Sequence, residues 1–252
     1  MIPLNRLVLG TVKFGLNFYG YGSQSRPTAA ESVAILRRAR RLGIERFDTA
    51  YGYGDAVALL QAAEIPREAI ICKCRLPLVP SGESPATFLI HNPTLAEFDE
   101  VPYGCGVSVY TVEEVAEARR LGIAPIQAPG SCLNKDPGPV AYSRAPFLQG
   151  VLLRSVGQAP MALMDVVRSF WELARAHNVS HAALALHAAY SEWPDAPSAW
   201  IVFGVSSVRQ LEENVEAAGH AVPNAAIFSA RALGAFVNVN AVLPSLWSVP
   251  RA

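Results

Sequence analysis

The chain has 252 residues, 51% of them hydrophobic, and its 21 Lys and Arg balance 21 Asp and Glu to a formal net charge of zero. Such a balance argues against a basic nucleic-acid surface and against a polybasic patch for anionic membranes. No run is long and apolar enough to span a bilayer, and the first residues lack the apolar stretch of a signal peptide, so a cytoplasmic protein forming one domain over residues 1–252 is expected.

A first strand is expected over residues 7–11, followed by an aromatic segment with Phe14, Phe18, Tyr19 and Tyr21. The helix expected over 29–42 opens on Thr28 with Glu31, a capping-box spacing, and ends in arginines followed by Gly43. A strand over 46–50 and a short helix over 55–63 lead to a strand over 70–74. The connection 76–87 carries Pro77, Pro80, Gly82 and Pro85 and reads as a loop, because proline inside a helix costs about 3 kcal/mol. After a strand over 88–91, residues 93–103 hold about two helical turns at most. A strand over 106–109 precedes a helix over 112–121 with the same punctuation as the first. Thr111 pairs with Glu114, and Ala118-Arg119-Arg120-Leu121-Gly122-Ile123 repeats Ala39-Arg40-Arg41-Leu42-Gly43-Ile44. Strands over 125–127 and 140–145 flank a Pro137-Gly138-Pro139 loop. Helices over 161–177 and 181–190, a strand over 200–203 and a helix over 208–218 follow.

Most of these eight strands are apolar on both faces, the signature of parallel strands covered on both sides. Eight of them in a chain of this size favour a (βα)8 TIM barrel, here with several outer helices shortened or missing. A doubly wound sheet is the competitor, but it would prefer a GxGxxG turn after an early strand, and none is present. Strand surface left bare by missing helices would be covered by loops, by the apolar tail over 237–252, or by a second copy of the chain in a homo-oligomer. Cys72, Cys74, Cys105 and Cys132 are expected as free thiols, with Cys72 and Cys74 on opposite faces of one strand and no metal-binding spacing.

Separate parallel strands that each end in an ionisable residue gather those side chains at one end of the barrel. Asp48, Tyr53, Lys73 and His91 supply an acid, a phenol, an ammonium and an imidazole in that way, and so look like a proton-transfer site.

The stretch Phe47-Asp48-Thr49-Ala50-Tyr51-Gly52-Tyr53-Gly54 closely resembles the aldo-keto reductase pattern of DTA, two residues, then YG. Further motifs follow in the family's order: Leu9-Gly10-Thr11 with Phe14-Gly15, Lys73, Leu89-Ile90-His91-Asn92-Pro93, Gly106-Val107-Ser108 and Gln127. Phe147-Leu148-Gln149-Gly150, then Gly204-Val205-Ser206-Ser207 with Gln210-Leu211-Glu212-Glu213-Asn214, complete the series, which runs from about residue 7 to residue 218. The resemblance implies hydride transfer between NADP(H) and a small-molecule carbonyl, since no side chain donates hydride. In that chemistry Tyr53 protonates the carbonyl oxygen and His91 orients it. A free phenol has a pKa near 10, so an ammonium at Lys73, held by Asp48, is expected to lower it.

The same resemblance assigns cofactor contacts to Thr11, Ser108, Gln127, Arg144, Gln149, Ser206, Ser207, Gln210, Glu213 and Asn214. Ser108 and Gln127 would hold the nicotinamide carboxamide, Ser206 and Ser207 a phosphate, and Glu213 and Asn214 the adenine edge. Three positions depart from the family. Arg144 replaces an aromatic ring that stacks on nicotinamide, and its charge disfavours the oxidised, cationic ring. Val109 replaces an Asn. Gly204 stands where some members place a Lys for the 2′-phosphate, with Arg209 or Arg154 as substitutes. NADP is therefore expected, with NAD as the other option. Two further readings stay open: an isomerase or lyase that uses the tetrad for proton transfer alone, and a nucleotide-sensing binding subunit.

Overall fold

Strands that are apolar on both sides bury both faces, and in this chain they also satisfy their edges by closing on themselves. Eight parallel strands form a closed barrel in sequence order: β1 (Leu7–Gly10), β2 (Arg46–Ala50), β3 (Ile70–Cys74), β4 (Thr87–His91), β5 (Gly106–Ser108), β6 (Ile126–Pro129), β7 (Tyr142–Arg144) and β8 (Trp200–Gly204). Strand β8 pairs back onto β1, Val202 opposite Val8. The computed structural model describes residues 1–17, 19–21, 26–77, 87–190 and 199–243. The expected (βα)8 barrel is what forms, and every strand lies within two residues of its expected ends.

The helices are α1 (Val12–Gly15), α2 (Ala29–Arg41), α3 (Ala56–Ala62), α4 (Val112–Arg120), α5 (Met164–Ala176), α6 (His181–Ala189), α7 (Val208–Gly219) and α8 (Asn224–Ala232). The repeated sequence punctuation becomes repeated geometry. Thr28 and Glu31 cap each other's backbone N–H at the start of α2, as Thr111 and Glu114 do for α4. At the far ends Gly43 and Gly122 take positive φ, 96° and 69°. Ile44 then donates to the Ala39 carbonyl at 3.0 Å and Ile123 to the Ala118 carbonyl at 2.8 Å, which satisfies carbonyls the helix leaves open.

Outer cover is uneven, as expected. The connection after β4 is a 3-10 segment, Leu95–Glu100, and residues 130–141 after β6 contain no helix. Outside that stretch, against α6 and α8, lies a cavity of about 330 Å³ lined in part by Cys132, Val140, Ala188 and Ala235. Residues 78–86, within the expected loop, and 244–252, within the expected tail, lie outside the described residues, as does Phe18.

Alternation along the strands sorts side chains between the barrel interior and the outer core. Leu9, Phe47, Ile201 and Phe203 face the helices, while Val8, Ile71, Leu89, Tyr142 and Val202 pack together inside. Cys74 joins an outer cluster with Ile90, Phe98 and Val107, and both Cys72 and Cys74 act on the Tyr51 hydroxyl outside the barrel. The expectation that these two cysteines face opposite ways is therefore wrong: residues two apart on a strand share a face, and Lys73 between them points inward. All four cysteines are free. Among the described residues no group of His, Cys, Asp or Glu could hold a metal ion, and no helix is long and apolar enough to cross a membrane.

The floor of the barrel is closed by an aromatic and two cations. The Arg6 and Arg46 guanidinium carbons lie 4.7 and 4.9 Å from the Trp200 ring centroid. The indole N–H donates to the Asn5 carbonyl at 3.0 Å. The inward ionisable residues of β2, β3 and β4 sit at the other end, where the strands terminate.

Candidate active site

The inward positions at the C-terminal ends of β2, β3, β5 and β6 are Asp48, Lys73, Ser108 and Gln127, and none is more than 4% exposed. They form one chain of hydrogen bonds. The Lys73 ammonium donates to both carboxylate oxygens of Asp48. Gln127 Nε2 donates to Asp48 Oδ2 at 2.8 Å, and Ser108 Oγ donates to Gln127 Oε1 at 2.8 Å. A buried carboxylate is tolerable only when paired and hydrogen-bonded, and here it is both.

Tyr53 reaches this group from the loop after β2. Its ring meets that of His91 edge-on, centroids 5.8 Å apart at 85°, and Lys73 Nζ lies 5.4 Å from the Tyr53 ring centroid. The backbone fixes the phenol's position. Gly15, at the end of α1, lies so close that a Cβ there would sit 1.5 Å from the Tyr53 carbonyl oxygen. Arg26 clamps the same contact, donating to the Gly15 carbonyl and to Asp55, both at 3.1 Å. The four residues Asp48, Tyr53, Lys73 and His91 are thus brought together at one end of the barrel.

Electrostatics at this end differ from the sequence expectation in one respect. Burial, reinforced by the Asp48 carboxylate, pushes the Tyr53 phenol well above its usual pKa. Lys73, bound to both oxygens of Asp48, does not bring it down. The cation that does pull Tyr53 downward is Arg144. Burial lowers the pKa of Lys73 and Asp48 partly offsets this. His91 is pushed down to about 3 by burial and by Lys73, Arg144 and Arg75, so its imidazole is neutral at neutral pH. Tyr19, raised to about 12 mainly by burial, belongs to the same group through Asp48, Arg144 and Tyr110.

The residues assigned to a cofactor fall into three sets. Ser108 and Gln127 are inside but bonded to each other and to Asp48, which leaves one Gln127 N–H and the Ser108 lone pairs for a ligand. Thr11 is fully buried, its Oγ 3.0 Å from the Asp48 carbonyl oxygen and 2.9 Å from Thr49 Oγ, where it ties β1 to β2. Ser206, Ser207 and Gln210 cap α7: Gln210 N–H donates to Ser207 Oγ at 3.1 Å, and Gln210 Oε1 accepts from Ser206 N–H at 2.9 Å. Of the last pair, Glu213 is exposed beside Arg209, at 3.4 Å, whereas Asn214 faces the core.

Gln149 lies in a turn where Leu148, Gln149 and Gly150 all have positive φ, 47°, 53° and 90°, and its carbonyl accepts from Tyr21 N–H at 3.3 Å. Such backbone strain concentrates at functional sites. Lys13 adjoins this rim, and burial together with Arg154 lowers its pKa. Arg144 stacks over the Tyr110 ring, 4.2 Å from its centroid, and donates to the Val109 carbonyl at 2.8 Å.

Sequence reasoning placed Tyr19 over this end only as part of an aromatic segment. It missed Tyr110, whose one signal is its place directly after β5. The rim fits a phosphate-bearing nucleotide in charge: Lys13, Arg154 and Arg144 are cationic, and the first turn of α7 presents backbone N–H groups.

No protein-family model matches the chain, and no curated protein is similar to it in sequence. Its fold is similar to that of the glycerol dehydrogenase AKR11B4 from Gluconobacter oxydans, with a TM-score of 0.60 and 18% identity over 94% of each chain. The likeness extends the length of both chains and is one of fold.

Proposed function

We propose that the chain is a nicotinamide-dependent oxidoreductase that reduces a small-molecule aldehyde or ketone to an alcohol, with NADP(H) preferred and NAD(H) the other option. One observation carries the reading: a buried phenol, a neutral imidazole and a Lys–Asp pair converge at the open end of a closed parallel barrel. The fold likeness to a glycerol dehydrogenase supports alcohol–carbonyl redox chemistry.

The nicotinamide supplies hydride when bound. The chain supplies the rest. Tyr53 remains protonated through neutral pH and is the proton donor to the carbonyl oxygen, whose basicity rises steeply as it becomes an alkoxide. Arg144 steadies the phenolate left behind. Neutral His91 hydrogen-bonds the same oxygen and sets its direction. Asp48 and Lys73 hold the floor of the site rigid, and Ser108 and Gln127 offer their remaining hydrogen-bond capacity to a carboxamide. Ser206, Ser207 and the first turn of α7, with Arg209 and Arg154 nearby in role, suit the phosphates.

Titration of intrinsic fluorescence with NADPH and NADH, followed by turnover of 4-nitrobenzaldehyde, tests this. Binding in the micromolar range, stronger for NADPH, and a loss of about 10²–10⁴-fold in turnover for Tyr53→Phe are expected. A second reading, proton transfer without redox chemistry as in an isomerase or lyase, draws on the complete burial of Ser108 and Gln127 and their bonds to Asp48. Absence of binding to either nucleotide would favour it.

A further inference from the structure

At the open end of the barrel one inward-facing cation meets no carboxylate among the described residues. The Asp48 carboxylate is shared between Lys73 and Gln127, so that pair is neutral as a unit. Tyr53 and Tyr19 are protonated and His91 is neutral. Arg144 remains. Its guanidinium donates to one backbone carbonyl, that of Val109, and stacks on Tyr110; Nε is buried with no acceptor. Among the described residues no carboxylate pairs with it. A guanidinium does not shed its proton, and a half-buried cation without a counter-ion is unfavourable. The guanidinium's remaining N–H groups suit an anionic group brought by a ligand.

Register narrows what that is. Arg144 is the inward residue of β7 one pleat above Tyr142, which pairs with Gln127, and it lies opposite Pro129 and Val202. That places it at the level of His91 and Tyr53, beside the reacting carbonyl, and within their electrostatic reach. The phosphates of a nucleotide already have cations and helix N–H groups at the rim, in Lys13, Arg154 and α7. A planar fork with a free N–H edge matches a carboxylate.

Resting on the oxidoreductase reading above, we propose that Arg144 is the anchor for a carboxylate on the substrate itself, so that the chain prefers oxo-acids over neutral aldehydes or ketones. Arg144 is then the residue that selects between them.

The test separates anchoring from redox chemistry. Succinate and succinamide, which have the length of such a substrate but no reducible carbonyl, are titrated calorimetrically into wild type, Arg144→Gln and Arg144→Lys, with and without NADPH. Turnover of 4-oxobutanoate is compared with that of its methyl ester. Succinate should bind and succinamide should not. Arg144→Gln should weaken succinate by about tenfold or more, with Arg144→Lys intermediate because charge survives without the fork. The same Gln variant should raise KM for 4-oxobutanoate by about tenfold more than it changes that of the ester, so the ratio of the two reads the anchor apart from any general effect on turnover. Equal binding of the two probes overturns the proposal. So does succinate affinity untouched in a Gln or Lys variant that melts like wild type, or a loss confined to NADPH affinity. Succinate binding that depends on Arg144, in a chain that binds neither nucleotide, keeps the carboxylate anchor and removes the redox reading.

Discussion

The lower and upper halves of the barrel interior use opposite chemistry. Below, Val8, Ile71, Leu89, Tyr142 and Val202 meet as apolar surface. Above, toward the C-terminal ends of β2, β3, β5 and β6, Asp48, Lys73, Ser108 and Gln127 meet as a continuous hydrogen-bonded chain. Apolar contacts are non-directional, so the lower half tolerates imperfect shape at modest expense. The upper half is conditional, since each member is satisfied only while all the others are present. The lower layer thus gives the barrel its stability, and the upper gives it a fixed arrangement of donors and charges.

Substitutions that treat the two halves alike should expose this difference. The largest effect is expected for Lys73→Met, which leaves the buried Asp48 carboxylate without its counter-charge; urea unfolding should show a loss of about 3–5 kcal/mol. Replacing both partners by apolar residues should recover much of it, and if the double variant is no better than the single one, the pair is not what holds the upper half. Next comes Leu89→Ala below, where a cavity and lost transfer energy should cost about 3 kcal/mol while the position of Tyr53 and the turnover number stay near wild type.

Acid should act on the upper half through His91. His91 has a folded pKa of about 3 against 6.5 when unfolded, so the unfolded chain binds the extra proton. The stability His91 contributes is complete above pH 6.5 and is lost as pH falls toward 3, at no more than about 1.4 kcal/mol per pH unit. Plotted against pH, the stability of wild type should fall more steeply than that of His91→Gln across that window, and parallel curves would show that another group is responsible. Smallest is Ser108→Ala, expected to cost about 1 kcal/mol by removing the donor to Gln127 Oε1.

The sequence made the lower half and the barrel legible because strands buried on both faces announce themselves as short apolar runs between helix caps. It also located Asp48, Tyr53, Lys73 and His91, since residues at strand ends in a parallel barrel converge. It could not give the charge balance among them. That Lys73 is bound to Asp48 while Arg144 is the cation that acts on Tyr53 depends on which carboxylate each cation meets across the barrel. Ser206, Ser207 and Gln210 illustrate a second limit: the same letters that resemble a phosphate site are the letters of a helix cap, and in this structure they form one. Helix α8 was missed because Asn224–Ala232 opens after Pro223 with no side-chain cap and alternates small and large residues without a clean apolar stripe. The single turn α1 is too short to leave a period.

Because Trp200 and the two arginines cap the far end, and packed side chains fill the interior beneath the site, the barrel offers a ligand one mouth and no exit below. On the proposed two-reactant chemistry, both reactants would share that single doorway, and the order in which they come and go would follow from which lies nearer the strands.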